Sequence, residues 1–598
     1  MVIRAKNRRI PLASPVSRAT ECVMDVFNVK RRHPSRLAVI VAALLVASCS
    51  QRPSINPEGP YWKDDDCKPI PEPAFREPGL LWTSIDRSLF DQTLELLDMD
   101  RNVRKVTGKM DEAMNANSFD EVTNSSWFNN RMGLPQTRLT PEEITAGVNT
   151  IGGPDTTGPW LVFRPKVGGV TPGFWIQDVK GNRYIIKFDP KGHPDLSTGA
   201  TAMAGRFFHA CGYNVAEEYI VYWRPDMLQV KEGATIEDPD GTVRPLSMED
   251  IKGILAAIEQ EPDGRIRSLA SLLLGNVKGP YSLTGTRQDD PNDWCPHERR
   301  RELRGLYVMA SFANHFDVKD QNSMDVYVGE PGQGYLKHYL MDFGSTFGSA
   351  GHGPMQPRMG YANLMDLRDM GVSMLTLGLK KWQWEDAPAP VNPSVGYYEA
   401  DIFHPAKWDP VYPIPPFENM TARDGYWGAK VVMAFRDEHL RALLKAGHYR
   451  DPQAEEYLFQ TMKRRRDKIG RYWFDKVNPL DYPEVRVDGE DVVVSFHDLA
   501  VLYELVSTPA TYRYELLHEG TVVAGPEDMA VPVVRVSLED LDALPSVGGG
   551  NDRESRLIEV TIRTSRDGGG RWSDPAVFWL LCDTDSRTFR IVAIEHPG

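Results

Sequence analysis

Two short stretches carry residue types suited to moving a phosphoryl group: His315-Phe316-Asp317-Val318-Lys319-Asp320-Gln321-Asn322, and then Asp342-Phe343-Gly344. Phosphoryl transfer leaves the protein little covalent work. It needs a carboxylate to orient the attacking hydroxyl, and oxygen ligands for the divalent cations that neutralise phosphate charge. Asp317 suits the first task, and Asn322 and Asp342 the second. Residues 322–328 and 335–341 between them read as two strands joined by a Gly/Pro-rich turn at 329–334, which would return the chain to where it left. The plain alternative is that Asp317 and Asn322 cap a turn and Asp342 ends a strand.

Upstream, residues 160–164 read as a strand, Gly168, Gly169 and Gly173 mark a flexible connection, and 174–178 with 184–188 form a hairpin closed by Lys180-Gly181-Asn182. Glycines there let backbone N–H groups approach a phosphate with no Cβ in the way. Lys187 ends the apolar run Tyr184-Ile185-Ile186, either as a phosphate contact or as a solvated edge residue.

The order H-x-D-x-K-x-x-N, hairpin, D-F-G resembles the protein-kinase superfamily, closest in flavour to atypical bacterial branches such as the HipA toxin kinase and the spore-coat CotH kinases. The resemblance covers residues 155–478 by order of elements. It implies ATP with Mg2+ or Mn2+ between two lobes. Lys187, Gly168, Gly169 and Gly173 would hold phosphates, Asn322 and Asp342 metal, and Asp317 an acceptor hydroxyl on an unknown protein or small molecule. One departure stands out. Kinases pair the strand lysine with a glutamate on the next helix, yet no acidic residue occurs between Asp195 and Glu217. Thr201 or Met203 stands in its place, with Glu217 or Glu218 as possible substitutes from the following strand. The rival readings are an inactive pseudokinase scaffold and nucleotidyl transfer to protein hydroxyls.

The first fifty residues differ in kind. Lys30, Arg31, Arg32 and Arg36 precede twelve small or apolar residues, 37–48, too short to span a bilayer but right for a signal peptide. The ending Val46-Ala47-Ser48-Cys49 resembles the lipobox of bacterial lipoproteins, which implies acylation of Cys49. Ser50 after it leans towards the outer membrane of a Gram-negative envelope. Loss of residues 1–48 removes nine Lys/Arg and two Asp/Glu, taking the formal charge from −14 to −21. Such acidity argues against nucleic acid as a partner and against a broad face for anionic membrane, so membrane attachment would come from the lipid anchor. Of six cysteines, Cys67, Cys211, Cys295 and Cys582 remain, without C-x-x-C spacing, so neither zinc nor a disulfide framework is indicated.

The expected organisation is α+β: a signal peptide (1–48), a disordered Pro-rich tether (49–76), a helical extension (77–154), a two-lobed kinase-like domain (155–478), and an immunoglobulin- or fibronectin-like β-sandwich (479–598). Within it, 199–211, 246–258, 267–274, 297–314 and 451–474 are expected as helices, with Ser197 or Thr198 capping the first. Seven short strands follow residue 479. Trp382, Trp384 and Trp408 line a groove or fill core, and Lys463 to Arg466 form a solvated face.

Overall fold

Residues Trp160–Pro165 (β1), Gly173–Gln177 (β2) and Arg183–Lys187 (β3) alternate buried and exposed positions, the period-two pattern of a strand with one face on a core. They pair antiparallel in sequence order. In β3, Tyr184 and Ile186 enter a core shared with Trp160, Phe174 and Trp223, so Lys187 falls on the opposite face. The computed structural model describes residues 59–77, 79, 86–90, 93, 97–106, 110–166, 173–238, 240–544, 555–583 and 587–597. Cys49, Gly168 and Gly169 lie outside these.

Helix α1 (Leu196–Cys211) follows β3 and is buried nearly all round. Its cap is neither Ser197 nor Thr198. Asp189 accepts from the backbone N–H groups of Ser197 and Thr198, each at 2.8 Å, because Asp195, with φ +66°, turns the chain back over it. After the short strand β4 (Asn214–Val215) come β5 (Glu218–Trp223), β6 (Leu228–Val230), the hairpin β7 (Thr235–Glu237) and β8 (Val243–Pro245), and helix α2 (Met248–Leu255). Residues 267–274, expected as a helix, instead belong to strand β9 (Ile266–Leu272). It lies between β3 and β5 in a six-stranded sheet ordered β5-β9-β3-β2-β1-β6 and is covered on both faces. Such a strand shows no clean alternation, and that removes the signal separating it from a helix. Arg267 leaves β9 towards α1, forming an ion pair with Asp195 at 3.2 Å and donating to the Gly447 carbonyl at 2.9 Å.

Below the sheet stands a second core, built on helices α3 (Arg301–Ala313), α4 (Ala422–Met433), α5 (Asp437–Gly447) and α6 (Pro452–Trp473). All of α3 is buried, including Arg301 and Arg304, whose guanidinium groups meet Asp424 at 3.1 and 3.2 Å. On α6 the basic run is not a solvated face. Arg465 is buried and donates to the carbonyls of Phe312 and Glu399 at 3.1 and 2.7 Å, closing α6 onto the end of α3. Trp408 fills core, whereas Trp382 and Trp384 stack on each other outside it.

The Pro-rich stretch is bound to the body from residue 59 on. Asp66 accepts from Ser126, Ile70 is buried and donates to the Gly334 carbonyl at 2.8 Å, and the Ala74 carbonyl accepts from Arg287 at 2.5 Å. Short apolar and carboxylate anchors hold it down despite its prolines. Among the described residues from Leu480 on, eight strands form two antiparallel sheets, one of three strands and one of five, whose inner faces share a core that includes Val492, Val534, Ile558 and Phe578. These sheets are joined to the helices by buried charge. Lys430 of α4 lies between Glu121 and Asp481, and His596, near the C-terminus, bonds the Leu480 carbonyl at 2.9 Å and faces Asp120 at 3.4 Å.

Candidate active site

Strands β10 (Ser323–Val328) and β11 (Tyr335–Leu340) pair from Ser323 against Leu340 to Val328 against Tyr335. The ladder continues one step past its open end, where Met341 N–H donates to the Asn322 carbonyl at 2.9 Å. Register alone therefore sets Asn322 beside Asp342. On the other side α3 ends at Asn314, in the left-handed conformation with φ +49°, held there by the Trp408 indole N–H at 2.8 Å. The turn delivers His315, whose Nδ1 sits 3.2 Å from the Ser345 carbonyl, joining the loop that carries Asp317 to the triplet that carries Asp342.

Asp342 also has a positive φ, +57°, a region in which Asp is tolerated better than most residues. The next side chain, Phe343, is buried and stacks on Phe208 of α1 with centroids 5.0 Å apart, while His315 packs 5.7 Å from Phe343 and 5.6 Å from Phe208. Three rings thus lock α1 and both loops together, and the Asp342 carboxylate turns outward.

Lys187 reaches across from the sheet and donates to Asp342 Oδ1 at 2.9 Å. The Lys187 ammonium holds the Asp342 carboxyl far below the usual carboxylate range, with Lys166 and Lys319 adding to the pull. Burial by itself would draw Lys187 down, but Asp342 and Glu218 outweigh it and its pKa is raised. Asp317 is half-buried, with Lys319 Nζ at 2.7 and 2.9 Å from its two oxygens. Asn322 Nδ2 donates to the Asp317 carbonyl at 2.7 Å and to its carboxylate at 3.2 Å. Lys187, Asp317, Asn322 and Asp342 therefore lie close together at the open end of the β10–β11 hairpin.

Among family models and curated proteins nothing matches this chain. It is similar to two solved structures of the Golgi casein kinase, one of them with Mn/ADP bound. Each aligns at 11% identity over 68% of this chain and 95% of that chain, with TM-scores of 0.26 and 0.25.

A carboxylate close enough to act on Lys187 comes from β5, with no direct ion pair between them. Glu218 is buried beside Lys187 and accepts from Ser271 Oγ of β9 at 3.1 Å. Its other oxygen has no hydrogen-bond partner. Burial pushes this carboxyl up to about 7, against the opposing pull of Lys187 and Arg206. Room for it comes from Gly205, where a Cβ would stand 2.8 Å from Glu218 Oε2. Glu217, the other candidate, instead accepts from Thr150 and faces away from the site. Gly173 pairs with Lys187 across β2 and β3, and a Cβ there would come 2.3 Å from the Ile186 carbonyl, so close strand packing itself demands glycine. Lys166, beside Gly173, was not singled out by the sequence. Burial lowers its pKa first and Lys187 second, so a second ammonium stands at the same site.

Proposed function

We propose that this cluster is a kinase-like phosphotransferase site that takes a nucleoside triphosphate with Mg2+ or Mn2+ and passes a phosphoryl group to a hydroxyl acceptor. The observation that carries this reading is the meeting of Lys187 and Asp342 at 2.9 Å over a loop that presents Asp317 and Asn322. The donor set fits a hard cation. Among the described residues Asp342 spends Oδ1 on Lys187 and has Oδ2 without a hydrogen bond, and Asn322 donates through Nδ2 and has its amide oxygen without one. A bound cation would supply charge neutralisation at the phosphates.

The residues present have distinct tasks. Lys187 and Lys166 place positive charge where phosphate oxygens would lie, and Glu218 holds Lys187 in place when ionised. Asp317 is held by Lys319 and Asn322, which orients its carboxylate to accept a hydrogen bond from an incoming hydroxyl. The ring cluster of Phe208, His315 and Phe343 keeps the two loops at a fixed separation.

The exported-lipoprotein reading, with Cys49 acylated and the body held at the outer membrane, is part of the same proposal and rests on the sequence alone. So does an immunoglobulin-like identity for the C-terminal sheets. A scaffold without catalysis is favoured by one observation: Glu218 makes no direct ion pair with Lys187, unlike Asp342. Thermal unfolding with ATP and MnCl2, on the wild type and Asp342→Ala, separates the two. A metal-dependent rise in melting temperature that disappears in the variant supports the site, and no rise in either supports the scaffold.

A further inference from the structure

Residues 360–364 and 392–411 are tied to the body, with Leu364 N–H donating to the Val411 carbonyl at 2.7 Å and Asn392 Nδ2 to Asp451 at 2.6 Å. Between them the chain runs outward through the helix Leu367–Leu375 and returns. Residues 370–379, Met-Gly-Val-Ser-Met-Leu-Thr-Leu-Gly-Leu, include no charged side chain. Met374 is 77% exposed, Leu375 86%, and Leu377 and Leu379 87% each. Leu377 and Gly378 both have positive φ, +53° and +75°, which turns the chain sharply at the apex. Soluble surfaces scatter single leucines, but a contiguous projecting apolar tip marks an interaction site.

The side chains just beyond the tip identify the partner. Lys380 and Lys381 come next, and then Trp382 and Trp384, stacked in parallel at 5.0 Å. Lys380 Nζ lies 3.8 Å over the Trp382 ring, and Arg358 5.8 Å over Trp384. The acidic groups of this excursion are kept off the apex. Asp366 caps the far end of the helix, Asp369 lies in its first turn, Glu385 folds back on the Trp382 N–H at 3.0 Å, and Asp386 pairs with Lys381. An apolar projection backed by indoles and ammonium groups matches the layering of a bilayer surface, with acyl chains, then a polar–apolar boundary, then anionic headgroups. A protein groove would have to be cut to the shape of this apex, whereas a fluid interface adapts to any convex tip.

We propose that residues 370–384 insert into the surface of a lipid bilayer with anionic headgroups, a second attachment independent of any acyl chain. The test uses the full chain with Cys49→Ala in every arm and measures co-flotation with phosphatidylcholine vesicles, with and without phosphatidylglycerol. Leu375→Ser/Leu377→Ser/Leu379→Ser should bind about tenfold or more weaker per leucine removed from the apolar layer. Lys380→Glu/Lys381→Glu should weaken binding only where phosphatidylglycerol is present. In a Cys67→Ser background, an environment-sensitive fluorophore on Leu377→Cys should shift to the blue on vesicle addition. Unchanged melting temperatures would show that these exposed positions do not alter the fold. Equal flotation of wild type and the triple serine variant, or a fluorophore that does not respond, overturns the proposal, as does loss of a co-purifying protein in the serine variant without any vesicle binding by the wild type.

Discussion

Replacing Glu218 by Gln keeps the shape of the side chain and its hydrogen bond with Ser271 while removing a carboxyl that burial has raised from 4.5 to about 7. A raised acid binds more protons in the folded than in the unfolded chain between those two values, so stability falls as pH climbs through the window. At about 1.4 kcal/mol per tenfold change in proton affinity, the full effect is ~3 kcal/mol, present below the unfolded value and lost above the folded one. The attraction of Lys187 is already contained in that figure, because it is among the causes that set the folded value. Wild type and Glu218→Gln should therefore have similar urea midpoints near pH 4.5, and the variant should be more stable by up to ~3 kcal/mol at pH 8. Asp409, raised by burial to about 6, titrates in the same range but in both proteins, so the difference between them isolates Glu218. Hydrogen exchange of β5 and β9 amides reads the same change locally. Nucleotide binding should move the other way, since the variant lacks the charge that steadies Lys187. A glutamine variant less stable than wild type at pH 8, or an unaltered pH slope, would refute the reasoning.

Gly205→Ala would force a methyl group to 2.8 Å from Glu218 Oε2, and about 1–3 kcal/mol of stability should be lost in denaturant titrations. Arg267→Ala would take from Asp189, beneath β9, its one cation among the described residues, while Asp195 keeps Arg450; a cost of about 3 kcal/mol, with faster exchange at the start of α1, is expected in denaturant titrations. Asp317→Asn should preserve the metal-dependent thermal shift with ATP yet lower nucleotide turnover about 10²–10⁴-fold in a phosphate-release assay, the loss typical of a misplaced proton acceptor.

Much of the site could be read from spacing because a hairpin is a local device. Once residues 322–328 and 335–341 are strands, Asn322 and Asp342 must meet, and Lys187 follows from the alternation of β3. The role of Glu218 was legible only as one of two neighbours, since which of Glu217 and Glu218 points inward depends on the register of β5 against β9, a long-range fact. Lys166 gave no signal at all, for a lysine beside a glycine-rich connection is ordinarily solvated. Strand β9 read as a helix because both its faces are covered, and α5, just before the expected helix at 451–474, was passed over. Arg465 lay hidden in a basic run. Which member of four consecutive cations is buried depends on carbonyls of α3 and residue 399, far away along the chain.

The charges that join the C-terminal sheets to the helices bear on how the chain can be divided. Lys430 has two buried counterions, and one of them, Asp481, belongs to the first of those strands, while His596 closes the same hub from the other terminus. A chain stopped at residue 478 would leave a fully sequestered ammonium with half its compensation and bare the flank of α4. The last hundred or so residues thus act as a keystone of the helical base, and a truncation made to isolate the site should yield an insoluble fragment.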